Sequence, residues 1–351
     1  MEYTDLLDTA ADTDDELLRL AWVAGFCLGP FGSNERTWKP FNPILGETFQ
    51  LDLPCGGRFL AEQVSHHPPI AAAHAASAKW AYDIVSAPTT KFLGNSVDIY
   101  PVGRSRIALP GRGETYSLVP PNSKAHNLIV GRTWVDCYGD FSLINTATGA
   151  RCSLYFTPCG WFGAGRYEVA GHIMDGAGVK KLAVKGMWNS HLDVTPCDAS
   201  TGAPVPGAGT TRVWRCSPKP VDDKYGFTHF ARKLCEGAGL APLPSDSRRR
   251  PDRAALAAGD HGKAGASKHA LEEVQRAEKR ERAARGEGWA PRWFRAGGDG
   301  AARYPGEYGP SECPVWEFKG DWPAPATGGD GDCVGTGFAP WQYPDMHKAV
   351  E

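Results

Sequence analysis

Glu114-Thr-Tyr-Ser-Leu-Val119 and Ser96-Val-Asp-Ile-Tyr100 alternate apolar with polar side chains, as do Thr133-Trp-Val-Asp136 and Cys152-Ser-Leu-Tyr-Phe156. A period of two marks a strand with one face toward a core or cavity and the other toward solvent or flanking helices. From about Gly46 to Cys216 such runs follow one another, separated at short intervals by Gly, Pro and Asn clusters. The spacing reads as hairpins in series, and predicts a large antiparallel sheet curled into a barrel. Composition agrees: the 42 Gly and 28 Pro are about a fifth of the chain, above ordinary usage but below the range of disordered sequences.

Outward from this region the texture changes on both sides. Leu6, Leu7, Ala10, Leu17, Leu18, Ala21, Trp22 and Ala24 recur mostly at spacings of three and four, which predicts one or two amphipathic helices. Asp12 to Glu16 offer cap chemistry for the second, and Gly29-Pro30 stop it. After Pro220 the pattern is helical again: Phe227 to Cys235, a polar turn from Ser245 to Asp252, and a charged helix from Lys268 to Arg285. The tail from Gly297 is rich in Gly and Pro, yet holds Tyr304, Tyr308, Trp316, Phe318, Trp322 and Trp341. Those aromatics predict a segment packed on the domain surface, with the last ~25 residues disordered. The chain therefore divides into a domain over 1–310 and a tail over 311–351. Within the domain, helices fill 1–30, the barrel 40–220 and a helical region 221–310.

The 351 residues carry a net charge of -2, which argues against nucleic acid or another polyanion as the main partner. Any anion site must be local. Ten Cys include no CxxC pair; Cys27, Cys55, Cys137, Cys152 and Cys159 sit among apolar residues and read as reduced thiols in a cytosolic protein. No run approaches the roughly 18 apolar residues of a transmembrane helix, and the acidic stretch Met1 to Asp15 lacks a signal peptide's basic start. Membranes, if met at all, are met peripherally. No GxSxG, HExxH, P-loop or GxGxxG motif is present, so neither an enzyme nor a metal or cofactor is expected.

Three constellations carry chemistry. Glu62-Gln-Val-Ser-His-His-Pro-Pro-Ile70 places His66 and His67 before two prolines that bias the backbone toward extension. In extended chain the two imidazoles point to opposite sides, whereas a bend would let both flank one multivalent anion. A turn with one exposed and one buried His is the plainer alternative. Lys39-Pro-Phe-Asn-Pro-Ile-Leu-Gly-Glu47 is a rigid loop in which Lys39 presents an ammonium to a phosphate, or is merely solvated. Lys268, Glu272 and Arg276 fall on one helical face, with the Glu placed to fix both cations. Such a Lys and Arg fork suits a phosphomonoester, and equally an ordinary solvated face stitched by ion pairs.

Together, Glu62 to Pro69 and Lys39 to Glu47 resemble the two hallmark stretches of the oxysterol-binding-protein-related family. Asn127-Leu-Ile-Val-Gly-Arg-Thr-Trp134 resembles one of its central strands, and Arg250-Pro-Asp-Arg253, Leu271 to Arg276 and Pro291 to Phe294 follow in the family's order. The resemblance implies a near-complete antiparallel β-barrel around an apolar lipid tunnel, flanked by N-terminal helices and a C-terminal helical subdomain. It implies exchange of a sterol, or phosphatidylserine, against phosphatidylinositol 4-phosphate between membranes. Carried over residue by residue, it assigns the headgroup to Lys39, Asn42, His66, His67, Lys268, Glu272 and Arg276.

Family members carry a lid before the first helix; here the match begins almost at Met1, so a lid is not expected, nor is a pleckstrin-homology domain. Targeting then rests on the headgroup or on the basic segment Arg248 to Arg285 against anionic lipid. Three readings follow: a lipid carrier, a phosphoinositide sensor that does not transfer, and a hydrolase or metalloenzyme built on His66 and His67.

Overall fold

The computed structural model describes residues 1–37, 41–53, 55–103, 105–223, 225–235, 243–297, 302–304, 311–313 and 316–323. Two helices open the chain, α1 (Asp5–Asp12) and α2 (Glu16–Leu28), followed by a 3₁₀ segment over Gly29–Glu35. Fifteen strands come next. They are β1 (Thr48–Asp52), β2 (Arg58–His66), β3 (Pro69–Ala76), β4 (Ala81–Ser86), β5 (Thr89–Phe92), β6 (Ser96–Tyr100), β7 (Ser105–Leu109) and β8 (Glu114–Val119). The series continues with β9 (Asn122–His126), β10 (Trp134–Asn145), β11 (Arg151–Phe156), β12 (Glu168–Met174), β13 (Lys180–Met187), β14 (His191–Pro196) and β15 (Thr211–Arg215). Helices α3 (His229–Cys235), α4 (Pro251–Ala257) and α5 (His261–Ala284) complete the C-terminal region, and short strands β16 (Phe294–Ala296) and β17 (Trp316–Phe318) pair with each other.

The fifteen strands form one antiparallel sheet, ordered β1-β2-β3-β4-β7-β8-β10-β11-β12-β13-β14-β15. β5, β6 and β9 extend it, pairing with one another and with the first half of β10. The predicted alternation holds: in β8, Glu114, Tyr116 and Leu118 are buried while the residues between them are not.

Helix α2 shows how far the sheet curls. Its Phe26 meets Tyr82 of β4, and Phe31 just beyond it meets Phe156 of β11. Arg19 forms a bidentate pair with Glu114 of β8, and Gly25 lies against the Val213 carbonyl of β15. No flat sheet presents strands so far apart in its order to one helix. Buried on nearly all sides, α2 is apolar around most of its circumference, as a helix enclosed in a core must be. Asp15 caps it, accepting from the Leu18 N–H at 2.7 Å.

The curled sheet has two different ends. Helix α1 lies at one of them, where Trp80 Nε1 donates to Asp8, Lys79 pairs with Asp12, and Arg112 donates to the Ala11 carbonyl. The opposite end carries the β2–β3 turn. There Ala71 pairs with Ser86, after which the chain runs past the rim into β5 and β6 and re-enters at Ser105, opposite Ile84. On the outer face of β2 to β4, a second apolar cluster gathers Leu60, Val64, Ile70 and Val85 under Trp293 and Phe294. Glu62 fixes that cover by accepting from the backbone N–H of Arg292 and Trp293, and burial pushes its carboxyl upward. The surface packing expected of the tail is seen for Trp316, Phe318 and Trp322, with Phe318 stacked on His74. Tyr308 and Trp341 lie outside the described residues, as does the side chain of Tyr304.

One expectation is corrected and one extended. Asn127 to Thr133 is not strand but the connection from β9 to β10, and only Trp134 of that stretch enters β10. The expected polar turn Ser245 to Asp252 is seen as a turn and a short 3₁₀ segment that leads into α4 at Pro251; what its polarity does not indicate is that Ser245, Asp246, Arg250 and Asp252 are buried, because the segment closes the free edge of β1. Thr48 N–H donates to the Ser245 carbonyl and Gln50 N–H to Asp246, groups an open sheet edge leaves unpaired. No helix among the described residues is long and apolar enough to cross a membrane.

The close approach of α2 to β15 is testable. A Cβ on Gly25 would stand 2.6 Å from the Val213 carbonyl oxygen, which is backbone and cannot swing away. Gly25→Ala should therefore destabilise the protein by about 1–3 kcal/mol in urea unfolding, despite alanine's better helix propensity.

Candidate functional site

The β2–β3 hairpin turns at His67 and Pro68, whose peptide bond is cis, and His66 pairs with Pro69 across the turn. This bend brings together side chains that an extended backbone would point apart. The two imidazoles stand edge to face, 4.6 Å between ring centres. Burial, and then His67, push the His66 imidazole below its ordinary range, against the Pro43 carbonyl and Glu272. Its Nδ1 is enclosed without a hydrogen-bond partner among the described residues. A buried, unsatisfied ring nitrogen is the kind of group a ligand completes.

Across from the turn runs α5, capped by Asp260 accepting from the Lys263 N–H at 2.9 Å. Spacings of four and three bring Lys268, Glu272, Arg276 and Lys279 onto one face. Lys268 Nζ contacts Glu272 at 2.5 Å, and this hydrogen bond leads the interactions that hold the Glu272 carboxyl below the usual range. Arg276 departs from the expectation that Glu272 fixes both cations: it stands 3.8 Å from Glu272 and hydrogen-bonds Glu273 instead.

The third wall is the loop 41–47, held by buried charge. Arg250 donates to Glu47 Oε2 and to the Asn42 carbonyl, each at 2.7 Å, and forms a bidentate pair with Asp252. Glu47 also accepts from the Ile44 N–H and the Ser247 hydroxyl. Arg253 donates to the Phe41 carbonyl, and the Leu45 N–H donates to Gln275 of α5. Thus loop and helix are joined directly.

Between these walls lies a cavity of about 670 Å³. Asn42, His66, His67, Lys268, Glu272 and Arg276 line it together, six of the seven residues expected there; Lys39 lies outside the described residues. Among the described lining residues, Lys268, Arg276 and Lys279 face it against one carboxylate, Glu272, so the cavity carries an excess of positive charge despite the chain's overall negative charge. Sequence reading missed Lys279, Gln275 and Arg250. Lys279 carried a usable signal, being three residues past Arg276 on the same face. Arg250 carried none from spacing, since its tie to the loop is set by Glu47, two hundred residues away in sequence. The basic segment expected to meet anionic lipid is also corrected in part: Arg248 is spent on Asp246 and the Gln50 carbonyl, Arg250 and Arg253 on the loop.

This arrangement has counterparts. The sequence model of the family described as oxysterol-binding protein matches residues 1–324. The chain belongs to the oxysterol-binding protein family. It is 45% identical to oxysterol-binding protein-related protein 3B of Arabidopsis thaliana, over 99% of this chain and 76% of that one. Among solved structures it resembles the Osh1 ORD domain in complex with cholesterol, with a TM-score of 0.78 and 32% identity over 91% of this chain and 78% of that one. It also resembles the Osh3 ORD of Saccharomyces cerevisiae in complex with PI(4)P, with a TM-score of 0.70 and 27% identity over 84% and 77%. Family membership and the barrel with flanking helices, both implied by the two hallmark stretches, are thereby established.

Two tests follow from the geometry. Arg250→Met strands Glu47 and Asp252 as buried, unpaired carboxylates, and should cost about 3–5 kcal/mol in denaturant unfolding. His66, held low by burial and by His67, should gain a proton when an anion binds beside it. Phosphomonoester affinity should therefore fall as pH rises through roughly 6 to 8, and level off below the range where free His66 titrates. Calorimetric titration in buffers of different ionisation enthalpy reads that proton uptake, and its absence would remove His66 from the ligand.

Proposed function

We propose that this protein is a non-enzymatic lipid carrier that binds the headgroup of phosphatidylinositol 4-phosphate in the His66–His67 cavity and exchanges it for a sterol. One observation carries the reading: side chains from three distant segments, loop 41–47, the β2–β3 turn and α5, converge on one cation-rich cavity. Its chemistry suits a phosphomonoester, which carries about two negative charges and accepts several charge-assisted hydrogen bonds. In this reading His66 and His67 grip the 4-phosphate, Lys268 and Arg276 supply charge, Glu272 orients Lys268, and Asn42 with Lys39 meets the rest of the headgroup. The PI(4)P and cholesterol named for the Osh3 and Osh1 complexes support both lipids as ligands here. Phosphatidylserine is the alternative counter-lipid. Among the described residues, the cavity's lining holds cations and imidazoles and no Ser or Cys, which favours binding over hydrolysis.

Extraction of labelled phosphatidylinositol 4-phosphate from liposomes tests this reading. His66→Ala/His67→Ala should reduce extraction by roughly 10- to 100-fold, the loss expected for hydrogen bonds to a charged group. Wild-type protein that binds such liposomes but extracts nothing would instead be a sensor. Equal extraction by wild type and variant would remove the histidine pair from the site.

A further inference from the structure

The correction at Asn127 to Thr133 leaves five large apolar side chains without cover. Leu128, Ile129 and Val130 occupy the β9–β10 connection, Phe92 ends β5, and Leu93 begins the β5–β6 turn. Ile129 is 72% exposed, Val130 71% and Phe92 63%, values at which a large apolar side chain has hardly been removed from water. Both turns form one structure, because Asn95 joins them. Its side-chain oxygen accepts from the Ile129 and Val130 N–H groups at 2.8 and 3.0 Å, and its amide donates to the Val130 carbonyl at 3.1 Å. The Leu128 N–H donates to the Asn95 carbonyl at 3.0 Å. A loop so tied has few ways to fold its apolar residues inward; they are held out.

Charge points to the occupant. Within 88–95 and 127–133 there is no Asp or Glu, while Lys91 and Arg132 are both exposed, in a chain that is negative overall. An apolar tip flanked by Lys91 and Arg132 complements a bilayer with anionic headgroups: the apolar side chains enter the acyl boundary and the two cations lie at the level of the phosphates. Position agrees. β5, β6, β9 and the start of β10 continue outward from the rim that bears the β2–β3 turn, away from the end where α1 sits. Exposed Trp161 and Phe162 stand toward that same end, in the β11–β12 connection tied to Asp136 of β10 through the Cys159 N–H.

We infer that the Asn95-joined tip formed by Phe92, Leu93, Leu128, Ile129 and Val130 is a membrane-insertion element that seats this end of the barrel on an anionic bilayer. It extends the carrier reading by naming how the cavity is brought to a membrane, but it operates without the headgroup site.

Vesicles of phosphatidylcholine with ~20 mol% phosphatidylserine and no phosphoinositide isolate it. Wild-type protein should co-sediment with them, and Ile129→Asp/Val130→Asp should lower the partition by about tenfold or more, as should Phe92→Asp to a lesser degree. Lys91→Glu/Arg132→Glu should weaken binding to these vesicles more than to pure phosphatidylcholine. Soluble glycerophosphoinositol 4-phosphate, titrated calorimetrically, should bind wild type and tip variants equally, showing that the variants are folded. If none of these proteins binds it, the headgroup reading fails and the tip is still judged on the vesicles. Absent wild-type partition, or equal partition by wild type and tip variants, overturns the inference. A wild-type dimer by light scattering that the tip variants dissolve also overturns it, because a second copy would then be the occupant.

Discussion

The arrangement of the site depends on one buried ion cluster, Glu47–Arg250–Asp252. Each of its members is buried, and Arg250 is satisfied by two carboxylates and the Asn42 carbonyl. A buried charge pair is no guarantee of net stability, since desolvation opposes the attraction. Its contribution here is positional. Arg250 is the most deeply buried of the links between the loop 41–47 and the segment that leads into α4, alongside Ser247 on Glu47, Arg253 on the Phe41 carbonyl and the Leu45 N–H on Gln275 of α5. Through these links, the cavity is assembled by the same segment that closes the free edge of β1.

Cations consequently divide into two populations that composition cannot distinguish. Arg19, Arg248, Arg250 and Arg253 are committed to internal carboxylates and carbonyls. Lys268, Arg276 and Lys279 face open space. Arginine suits the first role because its planar fork can satisfy several acceptors at once. On α5 the neighbouring glutamates hold the cations in place while leaving the cavity with an excess of positive charge.

The barrel is polar in the directional sense. One end is sealed by α1, with α2 running inside the curled sheet, so that a single apolar core joins helix and strands. The other end gathers the histidine turn, the loop 41–47 and the outgrowth of β5, β6 and β9. An antiparallel sheet makes this segregation possible, because alternate turns necessarily fall at opposite ends. Features separated by sixty residues, such as His67 and Ile129, therefore share one end of the molecule.

Much of this was legible in the chain itself. Period-two alternation located β6, β8 and β11, and Asp15 was among the residues offering a cap for α2. The face shared by Lys268, Glu272 and Arg276 followed from helical spacing, a local property. Three things were decided only by tertiary structure. The bend at the β2–β3 turn put two imidazoles side by side, where extension would have separated them. The run Ser245 to Asp252 reads as a polar turn, and its burial appears only when Glu47 and β1 arrive from two hundred residues away. Leu128 to Val130 lie in a stretch that resembles a central strand of the family, yet Asn95 holds those residues outward in a connection. Sequence periodicity reports the environment of a repeating backbone. Where a long-range partner sets the environment instead, the chain carries the residues but not the geometry that gives them a role.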